Sequence, residues 1–141
     1  MKILIALLSC MILCFSAYAD TRKEFRDSMG RLQGTATTDS SGRTTYRDSM
    51  GRMVGTATKD SSGRITFRDA QGRMQGTAST SSYGQTVYRD SMGRMQGSSS
   101  QASNGTITYR DSQGRLKGSA QTSNGTTTYR DAQGRMQGTQ R

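Results

Sequence analysis

The stretch FRDSMGRLQGTATTDSSGRTT at residues 25–45 is followed without interruption by YRDSMGRMVGTATKDSSGRIT at 46–66, and the same unit recurs to the end of the 141-residue chain. A fixed period constrains architecture more than any other sequence property, because each unit must adopt one local fold and stack on its neighbours. The anchor is an aromatic residue followed by Arg-Asp, at Phe25, Tyr46, Phe67, Tyr88, Tyr109 and Tyr129; the spacings are 21, 21, 21, 21 and 20 residues. Nothing interrupts the series, so residues 20–141 read as one domain with units starting near 25, 46, 67, 88, 109 and 129.

Each unit contains two glycine turns separated by short runs of Thr, Tyr, Phe, Met and Val without helical periodicity. Thr and aromatics favour strands, Ser-Gly and Asn-Gly favour hairpin turns, and the chain has no proline to break a ladder. One unit is therefore a β-hairpin. The chain is expected to be all-β, an antiparallel meander of about eleven or twelve short strands. It would form a single curled sheet or an open, barrel-like one.

Paired residues in a hairpin share a face, and faces alternate along each strand. A two-residue first turn at Met50-Gly51 would set Tyr46 opposite Gly55, Asp48 opposite Met53 and Arg47 opposite Val54. One face would then carry Tyr46, Met53, Gly55 and Ala57, and the other Arg47, Arg52, Val54 and Thr56. A three-residue second turn, Ser61-Ser62-Gly63 with glycine in the left-handed conformation, would pair Asp60 with Arg64 and Ala57 with Phe67. Ile65 and Ile107 join the apolar face. An odd period needs one odd turn per unit to keep that face continuous. The 20-residue unit tests this logic. It carries Asn124-Gly125, the signal for a two-residue type I′ turn, and with that loop Ala120 still meets Tyr129. ASNGT at 102–106 has the longer spacing and requires a three-residue loop.

The string YRDSQGRLKG at 109–118, the period and the Thr-rich return NGTTTYRDAQGRMQG resemble the YD repeats of the RHS family of large secreted bacterial proteins. The likeness spans most of residues 25–138. In the YD repeat Tyr joins Asp directly, whereas here Arg26, Arg47, Arg68, Arg89, Arg110 and Arg130 intervene. The resemblance implies hairpins laid side by side in one sheet, with a cell-surface or glycan-contacting role. Long arrays of that family curl into shells around a toxin; six units are too few to enclose one, so that role is not carried over.

The first residues, MKILIALLSCMILCFSAYAD, have the layout of a secretory signal peptide: a Lys, an apolar run from Ile3 to Phe15, and a small-residue site that predicts cleavage after Ala19. A lipoprotein reading with Cys10 as the acylated residue is the alternative. The expected location is outside the cytoplasm, secreted or periplasmic. Cleavage removes both cysteines, and histidine is absent from the whole chain. The processed chain keeps 19 Lys and Arg against 10 acidic residues, a net charge of +9. Such a field favours anionic partners.

Without His, Cys or a close carboxylate pair, the sequence offers no evident nucleophile, general base or metal site, and the expectation is a non-enzymatic protein without a cofactor. The repeated aspartates stand singly beside arginines. Turn capping suits that arrangement better than calcium, which needs six to eight oxygens. Thr rows such as GTAT at 34–37 resemble ice-binding surfaces, but arginines interrupt them. Arg26, Arg31, Arg47, Arg52, Arg68, Arg73, Arg89, Arg94, Arg110, Arg115, Arg130 and Arg135 would form a cationic grid on strands about 4.8 Å apart, suited to an extended polyanion such as an acidic glycan or the cell envelope. The bland counterpart is a solvated outer face covered by arginine stems. Nucleic acid is disfavoured because the aromatics face away from the arginines. Self-association through open sheet edges, in the manner of curlin-type fibre subunits, is the rival to the binding role. Regular charges oppose it. The apolar face is thin, so the sheet must curl on itself, dock on a partner or stack with copies.

Overall fold

A computed structural model describes residues 21–141; the expected signal peptide and the lipoprotein site lie outside the described residues. Twelve strands follow one another: β1 (Thr21–Asp27), β2 (Leu32–Thr38), β3 (Arg43–Asp48), β4 (Met53–Lys59), β5 (Ile65–Asp69), β6 (Met74–Thr80), β7 (Gln85–Asp90), β8 (Met95–Gln101), β9 (Ile107–Asp111), β10 (Leu116–Ser123), β11 (Thr126–Asp131) and β12 (Met136–Gln140). Every strand pairs antiparallel with its predecessor, and β1 pairs with β12, so the meander closes into a barrel. The all-β hairpin-repeat architecture is as expected. Of the three ways to cover a thin apolar face, the chain curls on itself.

The seam reuses the register found between units. Phe25 opposes Gln140, Arg26 opposes Thr139 and Asp27 opposes Gly138, just as Tyr46 opposes Ala36, Arg47 opposes Thr35 and Asp48 opposes Gly34. Closure is therefore one more copy of the inter-unit contact.

Inside the barrel lie Phe25, Tyr46, Phe67, Tyr109 and Tyr129 with Ala36, Ala57, Ala78, Ala120 and Ile65, all buried. Two units break the alanine pattern with a polar residue, and in both a tyrosine uses it. The Tyr88 and Ser99 hydroxyls share a hydrogen bond at 2.8 Å, and the Tyr129 hydroxyl donates to Gln140 Oε1. Near the second turns the inward pairs alternate from unit to unit. Thr38–Thr44, Thr80–Thr86 and Thr122–Thr127 hydroxyls are each 2.8 Å apart, whereas Lys59–Ile65 and Gln101–Ile107 occupy the intervening hairpins.

The second turns follow the parity argument. Asp60 N–H donates to the Arg64 carbonyl, Gly63 takes φ of 81°, and Ala57 opposes Phe67. Asn124 and Gly125, with φ of 50° and 75°, form the two-residue turn, and Ala120 opposes Tyr129. ASNGT closes through Ala102 N–H to the Thr106 carbonyl as a three-residue loop.

The first turns do not follow it. Asp48 N–H donates to the Arg52 carbonyl and Gly51 N–H to the Asp48 carbonyl, which is a three-residue loop with the same backbone as the second turn. Two odd turns would reverse the faces. A β-bulge restores them: Tyr46 opposes Gly55 as expected, but Arg47 opposes Met53, leaving Val54 as the extra residue. Gln33, Gln75, Gln96, Lys117 and Gln137 hold the same bulge position. Residues expected across from the first Arg of each unit are thus in the bulge, and a Met or Leu takes that place. Met53, Met74, Met95, Leu116 and Met136, expected inside, are 41–45% exposed on the outer wall. Val54, expected outside, packs on the core.

Candidate functional site, a basic rim

All six first turns lie at one end of the barrel, because a closed meander sends alternate turns to opposite ends. Alternation along β3 puts Tyr46 inside, Arg47 outside and Asp48 inside again. Asp48 Oδ1 accepts the Met50 and Arg52 amides at 2.9 Å, and Oδ2 accepts Arg52 Nε at 2.9 Å. Arg47 Nη1 reaches over the outside to the Gly51 carbonyl at 2.9 Å. Each turn is therefore braced by two arginines, one from each side. The unit beginning at Phe67 adds the bulge residue, whose Gln75 Nε2 donates to Asp69 Oδ2 at 3.1 Å. Gln33, Gln96 and Gln137 do the same for Asp27, Asp90 and Asp131.

The turn amides and the Arg side chain of each turn hold all six carboxyls below the ordinary 3.8. In Asp27 the Arg31 amide is the largest cause, and in Asp111 the Arg115 side chain. In Asp48, Asp69, Asp90 and Asp131 desolvation is the largest single influence and pushes upward; the combined donors outweigh it. Turn capping with a cross-strand charge pair is what the aspartates do. Among the described residues there is no cluster of three or more metal-ligating side chains.

The twelve arginines do not form one flat grid. Arg31, Arg52, Arg73, Arg94, Arg115 and Arg135 ring the mouth in ion pairs of 2.8–2.9 Å with the aspartates, yet their side chains stay 67–75% exposed. Arg26, Arg47, Arg68, Arg89, Arg110 and Arg130 stand on the outer wall just behind. Arg26 pairs with Glu24. The other five meet no carboxylate within ion-pair distance among the described residues, and each spends one N–H on its own turn carbonyl. Their stems cover the outer wall: Thr56, Thr77 and Ser98, cross-strand from Arg68, Arg89 and Arg110, are buried although they point outward.

The rim is apolar as well as basic. Met29, Met50 and Met92 occupy turn tips and are 71–74% exposed; Gln71, Gln113 and Gln133 take the same place in the other units. The outward Met and Leu side chains of the strand starts lie directly behind them. Sequence reasoning missed this surface, although Met before Gly in a turn was its signal. The opposite rim carries Ser-Ser, Ser-Asn and Asn-Gly tips; Tyr83, at 95% exposure, is its large apolar side chain, and Arg43 and Arg64 flank two of its turns.

No family model matches the chain, and no curated protein matches it. Among solved structures it is similar to BamB from Moraxella catarrhalis, at 13% identity and a TM-score of 0.33, over 77% of this chain and 56% of that one. The chain thus spans little more than half the length of that structure.

Proposed function

We propose that this is a secreted, non-enzymatic barrel that binds an anionic surface or glycan through its first-turn rim. The observation that carries the reading is the concentration of twelve arginines against six aspartates at one end, with five outer guanidiniums lacking an acidic partner among the described residues. A guanidinium is a planar fork suited to sulfate, phosphate or carboxylate, and one N–H anchored on a carbonyl leaves the rest of the fork presented. Secretion rests on the apolar leader, and a surface role agrees with the YD-repeat resemblance. The β1–β12 seam removes the open edges that fibre-like assembly would use, which favours binding over self-assembly.

The test is retention on immobilised heparin with increasing salt. Exposed charges are screened within about 10 Å at 0.1 M salt, so retention should fall steeply as salt rises. Retention that is absent at low salt, or flat across the range, refutes the reading.

A further inference from the structure

From the coincidence of cations and methionines on one rim we infer that the anionic surface is a phospholipid bilayer, on which the barrel stands by its first-turn end. This rests on the binding role proposed above and narrows it. A soluble acidic glycan would engage the guanidiniums, but nothing in its chemistry rewards three thioether side chains held at the outermost tips. A bilayer interface does: apolar side chains enter the headgroup–acyl boundary while adjacent cations meet lipid phosphates, and the two contributions add.

Three observations fit this geometry. Met29, Met50 and Met92 project from turns that the topology places at one end, so they reach a single plane together. Immediately behind them, Met53, Met74, Met95, Leu116 and Met136 face outward between the wall arginines. The rim therefore alternates apolar and cationic groups in the order an interface demands. The wall itself is unsuited to hydrocarbon. A membrane-spanning barrel is apolar outside and polar within, whereas here the aromatics are inside and Arg and Thr outside. The barrel stands on the membrane; it does not cross it. Flexible, polarizable methionine also tolerates the irregular packing of a lipid surface.

The experiment uses the barrel starting at Asp20, since the apolar leader would partition into lipid by itself, and compares it with M29Q/M50Q/M92Q. Gln is the residue the chain already carries at the same turn position in three units, so the triple variant keeps the turn chemistry. Both proteins are sedimented with phosphatidylcholine vesicles, with mixed phosphatidylcholine–phosphatidylglycerol vesicles, and passed over heparin. The parent should sediment with the mixed vesicles and not with phosphatidylcholine alone. The triple variant should lose about tenfold in apparent vesicle affinity, as three apolar contacts leave the interface, while heparin retention is unchanged. Y83S, at the other rim, should bind vesicles like the parent. Heparin retention without vesicle binding overturns the lipid assignment and leaves polyanion binding standing. Equal vesicle affinity of parent and triple variant also overturns it. Loss of both heparin and vesicle binding in the parent removes the broader reading as well.

Discussion

Substituting Gly55 by Ala puts the register of the barrel at risk in a way ordinary strand preferences do not anticipate. Glycine inside a strand is usually a weakness, and replacing it with alanine gains roughly 0.5–1 kcal/mol when the backbone is unstrained. Gly55 is not among the left-handed glycines, so that rule predicts a more stable protein. The structure predicts the reverse. A Cβ on Gly55 would stand 2.5 Å from the Arg68 carbonyl oxygen, with Arg68 C and Asp69 Cα at 3.6 and 3.7 Å. These are backbone atoms of the neighbouring unit and cannot swing aside. Relief requires β4 and β5 to separate by at least about half an ångström where Gly55 opposes Asp69, which loosens that ladder and the turn braced on Asp69. Overpacking of this kind costs about 1–3 kcal/mol, and one weakened ladder hydrogen bond adds roughly 1 kcal/mol. The expected loss is about 2–4 kcal/mol, or a fall in Tm of roughly 8–16 °C for a domain of this size. Thermal unfolding followed by circular dichroism reads it directly. Gly51→Ala is the companion, because Gly51 has φ of 80° and nothing within 4 Å of its Cβ position. It should lose only about 1–2 kcal/mol, from left-handed strain. A G55A protein as stable as the parent, or more so, refutes the register that sets each repeat glycine beneath the next unit's Arg-Asp backbone.

Two further outcomes follow from the rim and the seam. The first-turn aspartates have folded pKa values below 3.8, so the folded state binds fewer protons than the unfolded chain as acid is added. Their contribution to stability is present above the ordinary aspartate range and is lost as pH falls through 3.8 toward the depressed values. Tm should therefore be level near neutrality and decline in acid, and D69N should already be less stable at neutral pH; a Tm that rises on acidification contradicts the assignment. Removing residues 136–141 deletes β12 and leaves β1 and β11 as open edges, so sedimentation should show concentration-dependent association. A truncated chain that stays monomeric at all concentrations refutes closure through that seam.

The repeat made the hairpin unit legible because turn chemistry and face parity are both local. Asn124-Gly125 shortens one unit by a residue and announces its own two-residue turn, and the structure places Ala120 against Tyr129 accordingly. The first turns were harder. DSMGR and DSSGR adopt one backbone, and parity alone cannot distinguish an even turn from an odd turn followed by a bulge. The aspartate suggests the resolution afterwards: a side chain that caps two turn amides suits the three-residue loop in both places, with an Arg Nε added at the first turn and a Ser hydroxyl at the second. Closure was not legible either. It depends on Phe25 meeting Gln140 across 115 residues, a contact whose geometry only the accumulated curl of twelve strands determines.

The bulge is also where structure and proposed function meet. An even first turn would have sent Met53 and its counterparts into the barrel and set Val54 or glutamine beside the wall arginines. The odd turn and bulge exchange them. Gln33, Gln75, Gln96 and Gln137 leave the wall and each donate a hydrogen bond to the aspartate of their unit. The hydrophobic residues turn outward, where no core needs them, next to arginines already committed by one N–H to their turns. Five large apolar side chains left 41–45% exposed at equivalent places cost solubility. A surface that receives both methionine and guanidinium gives that recurrent placement a physical use, and the six-unit ring aligns the copies at one end so that they can act together.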